Sequence, residues 1–192
     1  MKKINELFYS LQGEGMHSGT AAVFVRFSGC NLHCPFCDTD HEEGLWMTNE
    51  EIVNRVQAYP ARMVVLTGGE PSLYVDPELI EQLHRIGKFI TIETNGTHLL
   101  PEGIDWITLS PKFDCNKFAD VVLTRCDELK VVYQGQPMDA YNRILSDHYF
   151  LQPCDTGNKE QNLLNMKSVV DYCLANPRWR LSLQIHKIIN II

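Results

Sequence analysis

Residues 21–38 read AAVFVRFSGCNLHCPFCD, an apolar stretch that runs directly into Cys30, Cys34 and Cys37 at the spacing C-x3-C-x2-C. The first eight residues have the composition of a strand, and the thiols follow it in a single loop. Three residues between the first two thiols and two between the next let one loop wrap around a cuboidal cluster. Three thiolates can hold three irons of a [4Fe–4S] cluster and leave the fourth open to a small molecule, whereas a structural zinc site closes a set of four ligands. On the spacing alone, a Cys3His zinc site that recruits His33 or His41 stays open beside the cluster. A disulfide framework fits less well, because the chain has seven cysteines, an odd number, and no secretory signal is expected at MKKINELFYS.

Working outward from this stretch, further strands are expected near 62–67, 88–94, 104–109, 128–133, 148–152 and 180–185. Helical segments separate several of them. One follows Thr48, with Glu51 completing a capping box; a second begins at Asp76-Pro77 and stops at Gly87; a third covers roughly 159–175. Alternation of this kind means parallel pairing with right-handed crossovers. A complete eight-fold barrel takes about 250 residues, and connections such as 95–103 are too short to hold a crossover helix. The expected fold is therefore α/β, an incomplete (β/α) barrel of about six parallel strands with fewer helices than a full TIM barrel. The whole chain, 1–192, is expected to form a single domain with one open side.

Most of these strands end in polar residues. Thr67-Gly68-Gly69-Glu70-Pro71, Glu93-Thr94-Asn95-Gly96, Ser110-Pro111-Lys112, Gln152-Pro153 and Gln184-Ile185-His186-Lys187 would converge at the carboxyl ends, where parallel α/β folds bind ligands. Turn chemistry explains any one cluster but not Thr67, Glu93, Lys112, Gln152 and His186 together. Arg26 lies mid-strand on the face of Phe24 and Ser28. It is either a surface arginine on an edge strand or, turned into the barrel, a fork for a substrate carboxylate. Absent side chains at Gly68-Gly69 serve a tight turn or the close approach of a ligand. Cys115, Cys126, Cys154 and Cys173 form no second motif and read as small buried residues.

Composition narrows the partners. With 24 acidic and 17 basic residues the net charge is −7, which argues against a nucleic-acid surface. No apolar run is long enough to span a membrane. Free thiols point to a reducing cytoplasm, and a small molecule is the expected partner.

The cysteine motif followed by GGEP resembles the radical S-adenosylmethionine superfamily. Gln12-Gly13-Glu14-Gly15, Cys37-Asp38-Thr39, Glu93-Thr94-Asn95-Gly96-Thr97, Ser110-Pro111-Lys112 and Leu183-Gln184-Ile185-His186-Lys187 resemble the 7-carboxy-7-deazaguanine synthase family, in order and across the chain. That resemblance implies conversion of 6-carboxy-5,6,7,8-tetrahydropterin to 7-carboxy-7-deazaguanine with loss of ammonia, a step towards queuosine. A 5′-deoxyadenosyl radical would take the hydrogen from C6. The implied cofactors are a [4Fe–4S] cluster on Cys30, Cys34 and Cys37, S-adenosylmethionine, and Mg2+ held at Thr39. Phe36, Cys37, Asp38, Gly69, Ser110, Pro111, Lys112 and Gln152 would line the S-adenosylmethionine site. Leu11, Gln12, Gly13 and Glu14, with Arg26, Thr67, Glu93 and His186, would hold the substrate, Arg26 and His186 taking its carboxylate. The resemblance also implies a homodimer and an electron donor such as a flavodoxin or ferredoxin. An activating enzyme of the same superfamily, acting on a partner protein, is the alternative.

Overall fold

The computed structural model describes residues 1–37, 43–113 and 120–191. Its elements in chain order are β1 (Lys2–Leu11), β2 (Ala21–Phe27), β3 (Leu45–Met47), α1 (Asn49–Gln57), β4 (Met63–Gly68), α2 (Pro77–Arg85), β5 (Phe89–Thr94), β6 (Trp106–Leu109), β7 (Arg125–Tyr133), β8 (Leu145–Pro153), α3 (Lys159–Ala175), β9 (Arg180–Leu181) and α4 (Ile185–Ile189). The nine strands make one sheet in the order β3-β1-β2-β4-β5-β6-β7-β8-β9. From β2 to β9 every pairing is parallel, whereas β1 pairs antiparallel with both β2 and β3. Six parallel strands of four to nine residues and the two-residue β9 form the expected incomplete barrel.

Local chemistry starts and stops the helices as expected. Thr48 and Glu51 form a reciprocal capping box on α1, and the Asp76 carboxylate accepts from the Leu79 amide at the start of α2. Both helices press Ile52, Val53, Val56, Leu79, Ile80 and Leu83 against the outer face of β2, β4 and β5. That face is Val23, Val25, Phe27, Val64, Leu66, Ile90 and Ile92, and a second core beneath α3 gathers Leu129, Val131, Leu151 and Val169. Outward positions on the parallel strands are therefore apolar, while the alternate residues face the barrel interior.

One expectation is corrected and one strand is added. The strand expected at 180–185 shrinks to Arg180–Leu181, and Ile185 already opens α4. Here Ser182 and Gln184 turn their side chains to Gln152 and Glu14, so the ladder ends early. Strand β1 was not anticipated from KKINELFYSL. A bulge between Ile4 and Glu6 shifts its register, which breaks the period-two alternation that marks a strand.

The end of β4 is tied to its neighbours by the buried Glu70. Its carboxylate accepts from Thr94 Oγ1 at 2.6 Å, the Asn95 amide at 2.7 Å and the Ser72 amide at 3.0 Å. Glu70→Ala would leave these donors without an acceptor in the core. We expect a loss of about 3 kcal/mol in stability, read as a lower denaturant midpoint of the cluster-free protein.

Candidate active site

Inward-facing side chains and the strand-end loops enclose an open cleft of about 1290 Å³. Single-ligand pockets run to about 1,000 Å³, so there is room for more than one bound molecule. Cys30, Cys34 and Cys37 share this cleft with Phe36, Gly69, Ser110 and Lys112. The proposed substrate residues Leu11 to Glu14, Arg26, Thr67, Glu93 and His186 line it as well, as does Gln152. Pro111 is not among its lining residues; Asp38 and Thr39 lie outside the described residues, as does Cys115.

The cysteine loop is braced from two sides. A Cβ on Gly69 would stand 2.0 Å from the Gly29 carbonyl oxygen, so only glycine lets the loop after β4 lie on the cysteine loop. In that contact the Glu70 amide donates to Gly29 O at 3.0 Å. From β5, Asn95 Nδ2 donates to Asn31 Oδ1 at 3.0 Å, and Asn31 Nδ2 donates to Thr97 Oγ1 at 2.8 Å. The Glu-Thr-Asn-Gly-Thr stretch thus offers Glu93 to the cleft and uses Asn95 and Thr97 to orient the thiol loop. Cys30 and Cys34 are half-buried and Cys37 is exposed, and burial pushes the Cys30 thiol above its ordinary value. No three His, Cys, Asp or Glu side chains among the described residues gather on one metal-ion point. A cubane does not require it, because each of its cysteines takes a different iron. Three thiols on one loop, open to a cleft with room for further ligands, fit a site-differentiated [4Fe–4S] cluster.

The floor of the cleft comes from an unexpected direction. Leu11 at the end of β1 pairs with Ala21 at the start of β2, so the loop between them lies at the amino ends of the parallel strands. It enters the barrel from that end. The Gly15 amide donates to Ser182 Oγ at 3.0 Å, the Met16 amide to Glu128 at 2.9 Å, and the Ile185 amide to Gly13 O at 3.0 Å. Two of its glycines lie against other segments: a Cβ on Gly13 would stand 2.2 Å from His186 Nδ1, and one on Gly15 (φ +64°) 2.0 Å from Glu128 Oε1. Gln12 to Gly15 therefore closes the cleft from below, opposite the strand-end loops.

At its centre lies Lys130 of β7, which was not singled out in the sequence although it falls within the expected strand 128–133. Its ammonium stands 2.5 Å from Glu14 Oε2 and 3.5 Å from Glu93 Oε1. Glu14 Oε1 also accepts from Gln184 at 2.9 Å and Gln152 at 3.1 Å. Glu93 accepts from Gln12 Nε2 and Thr67 Oγ1, each at 3.0 Å. Burial raises the Glu14 carboxyl, but the charge and hydrogen bond of Lys130, with Gln184 and His186, outweigh it and hold the group at about 2. Burial likewise lowers Lys130, yet Glu14, Glu93 and Glu128 hold it above the usual lysine range. Burial pushes Glu128 up, only partly opposed by Lys130. Arg26 faces the interior rather than an edge; its Nε donates to Glu6 at 3.1 Å and its guanidinium lies over Phe8.

Comparison with known proteins agrees with this geometry. The model of the Radical SAM superfamily matches residues 24–122, and that is the class of protein the barrel and thiol loop define. The 7-carboxy-7-deazaguanine synthase of Bacteroides thetaiotaomicron is 55% identical over 191 residues, covering 100% of this chain and 99% of that protein. That of Burkholderia multivorans is 40% identical over 212 residues, 98% of each. QueE from Escherichia coli superposes with a TM-score of 0.79 at 29% identity over 96% of this chain and 94% of that one. SuiB of Streptococcus suis, at 18% identity and a TM-score of 0.53 over 81% of this chain and 47% of that one, shares the fold alone. The chain belongs to the 7-carboxy-7-deazaguanine synthase family, whose cofactors are a [4Fe–4S] cluster and S-adenosylmethionine. Between cluster and zinc, which the cysteine spacing left open, the cluster is the answer.

The Glu14 carboxyl titrates near 2 in the fold against an ordinary 4.5, so its contribution to stability is complete above pH 4.5 and fades as pH falls towards 2. The stability gap between the wild type and Glu14→Gln, read by denaturant titration, should narrow through that window. A gap constant with pH would contradict the assignment.

Proposed function

We propose that this chain is a radical S-adenosylmethionine lyase that converts 6-carboxy-5,6,7,8-tetrahydropterin to 7-carboxy-7-deazaguanine with release of ammonia, in 7-deazapurine and queuosine biosynthesis. The observation that carries this reading is one cleft that holds three thiols at its rim and Arg26, Glu93 and His186 with the Gln12–Glu14 loop along its walls. Cys30, Cys34 and Cys37 would hold the cluster, and Phe36, Gly69, Ser110 and Lys112 would line the S-adenosylmethionine site, with Asp38, Pro111 and Gln152 beside them. When bound, the cluster and S-adenosylmethionine supply one-electron chemistry able to remove a hydrogen atom from C6 of the pterin. The protein's own part is binding and orientation.

Arg26 presents a planar fork suited to the substrate carboxylate, which would displace the half-exposed Glu6, and His186 takes the same group from α4. Glu93 is an acceptor for the N–H edge of the pterin ring, held in register by Thr67 and Gln12. Backbone groups of Leu11 to Glu14 face the ring from below. Thr39, with substrate oxygens, would complete a Mg2+ site, as suits a hard cation.

We further propose that the enzyme works in the cytoplasm as a homodimer and takes its electron from a flavodoxin or ferredoxin. Thiols without disulfides suit a reducing compartment, and among the described residues β3 and β9 form the two edges of the sheet and offer a surface for pairing. Among the described residues no helix is long and apolar enough to cross a membrane. The domain is read as the whole chain, 1–192.

The test uses anaerobically reconstituted enzyme with S-adenosylmethionine, dithionite and the carboxytetrahydropterin, with and without Mg2+. Product by mass spectrometry and stoichiometric ammonia are expected, more with Mg2+. S-adenosylmethionine cleavage that leaves the pterin unchanged would reject the reading. Arg26→Gln should raise KM roughly ten- to a hundredfold, the range for losing a charged hydrogen bond, with a smaller effect on kcat.

A further inference from the structure

Among the described residues Lys130 is the ammonium placed within reach of two carboxylates that enter the pocket from opposite ends of the barrel. Glu14 rises from the β1–β2 loop at the amino ends of the strands, and Glu93 sits near the carboxyl end of β5. Register sets Glu93 level with Glu128, through Thr108, and Lys130 is the next inward residue along β7, from where its ammonium lies 2.5 Å from Glu14 and 3.5 Å from Glu93. We infer that Lys130 is a positioning residue of the substrate pocket, whose ammonium sets Glu14 and Glu93 against one another and keeps both as acceptors for the N–H groups of the bound ring. This rests on the pterin reading above.

The hydrogen-bond pattern separates this role from simple docking of the loop. Glu14 is fixed by Lys130, Gln152 and Gln184, from β7, β8 and the turn before α4. Glu93 already receives Gln12 and Thr67, and the ammonium 3.5 Å away adds chiefly charge. Two neighbouring carboxylates without a counter-ion disfavour double ionisation, so one takes a proton and becomes a donor where an acceptor is needed. The charged and titratable groups around them are Glu128 on β7, Arg26 on β2, His17 in the floor loop, His148 on β8 and His186 on α4. Of these, Arg26 is engaged with Glu6, and Glu128 is itself an acid that supplies no positive charge. Lysine suits the place because its long stem carries a point charge with three donors.

The experiment measures KM for the carboxytetrahydropterin between pH 6 and 9 with reconstituted holoenzyme. Lys130→Met keeps length and bulk without charge. We expect its KM to be at least tenfold above wild type at pH 7 and to fall as pH rises, against a flat wild-type profile, with a smaller change in kcat. A Lys130→Met profile that is flat and within twofold of wild type overturns the inference. Should that variant fail to fold, Lys130→Met/Glu14→Gln is compared with Glu14→Gln alone. A pH-dependent KM only in the double variant supports the role through Glu93, and coincident profiles overturn it. Formation of 5′-deoxyadenosine without pterin reports on the cluster and S-adenosylmethionine independently. Wild-type enzyme that makes it but leaves the pterin unchanged overturns the functional reading and this inference together, whereas a flat variant profile in active enzyme overturns the inference alone.

Discussion

A buried ion pair, Lys130 with Glu14, joins the two halves of this molecule's interior. Taking both charges out of water is costly, and the cost is offset here only because each partner has further bonds: Gln152 and Gln184 on Glu14, and Glu93 beside Lys130. Losing one partner of such a pair typically costs about 3–5 kcal/mol, because it strands the other charge. The pair makes the loop after β1 part of the barrel. It acts beside the bonds from Gly15 to Ser182, Met16 to Glu128 and Ile185 to Gly13, which hold the same loop as the floor of the cleft.

Other constraints follow from where that loop lies. Gly13 has no side chain because His186 occupies the space, and Gly15 has none because Glu128 does. The early end of β9 frees Ser182 and Gln184 to bond the loop, and α4 begins one residue later with its Ile185 amide on Gly13 O. Segments more than 160 residues apart in the chain, such as Gly15 and Ser182, are thereby held in one small polar assembly. The upper half of the cleft has supports of its own. Glu70 ties β4 to β5, Gly69 rests on Gly29, and Asn95 holds Asn31, so the thiol loop stands on the ends of rigid strands. The thiol-loop side above and the floor loop below meet at Glu93, which both Gln12 and Lys130 reach.

Much of this was legible in the residues. Apolar runs marked β2, β4, β5, β6, β7 and β8, and capping residues marked α1 and α2, because strand composition and cap chemistry are local. Polar residues at strand ends marked the upper half of the cleft for the same reason. The QGEG segment could be assigned to the substrate only by resemblance. Its strand, β1, hides behind a bulge, and its role depends on contacts with β7, β8 and α4 that no local pattern records. Lys130 and Glu128 read as ordinary polar positions in a strand until pairing turned them inward beside Glu14 and Glu93.

The amino-acid order alone determined the incomplete parallel barrel, the three-thiol loop and the family, since each depends on residue type and spacing over short distances. Tertiary structure alone decided that the barrel has a floor, that Arg26 faces inward, and that one lysine stands among three carboxylates. Those facts are set by sheet register and by the path of a loop entering from the opposite end. The energy of a buried charge depends on which distant groups surround it, not on its neighbours in the chain.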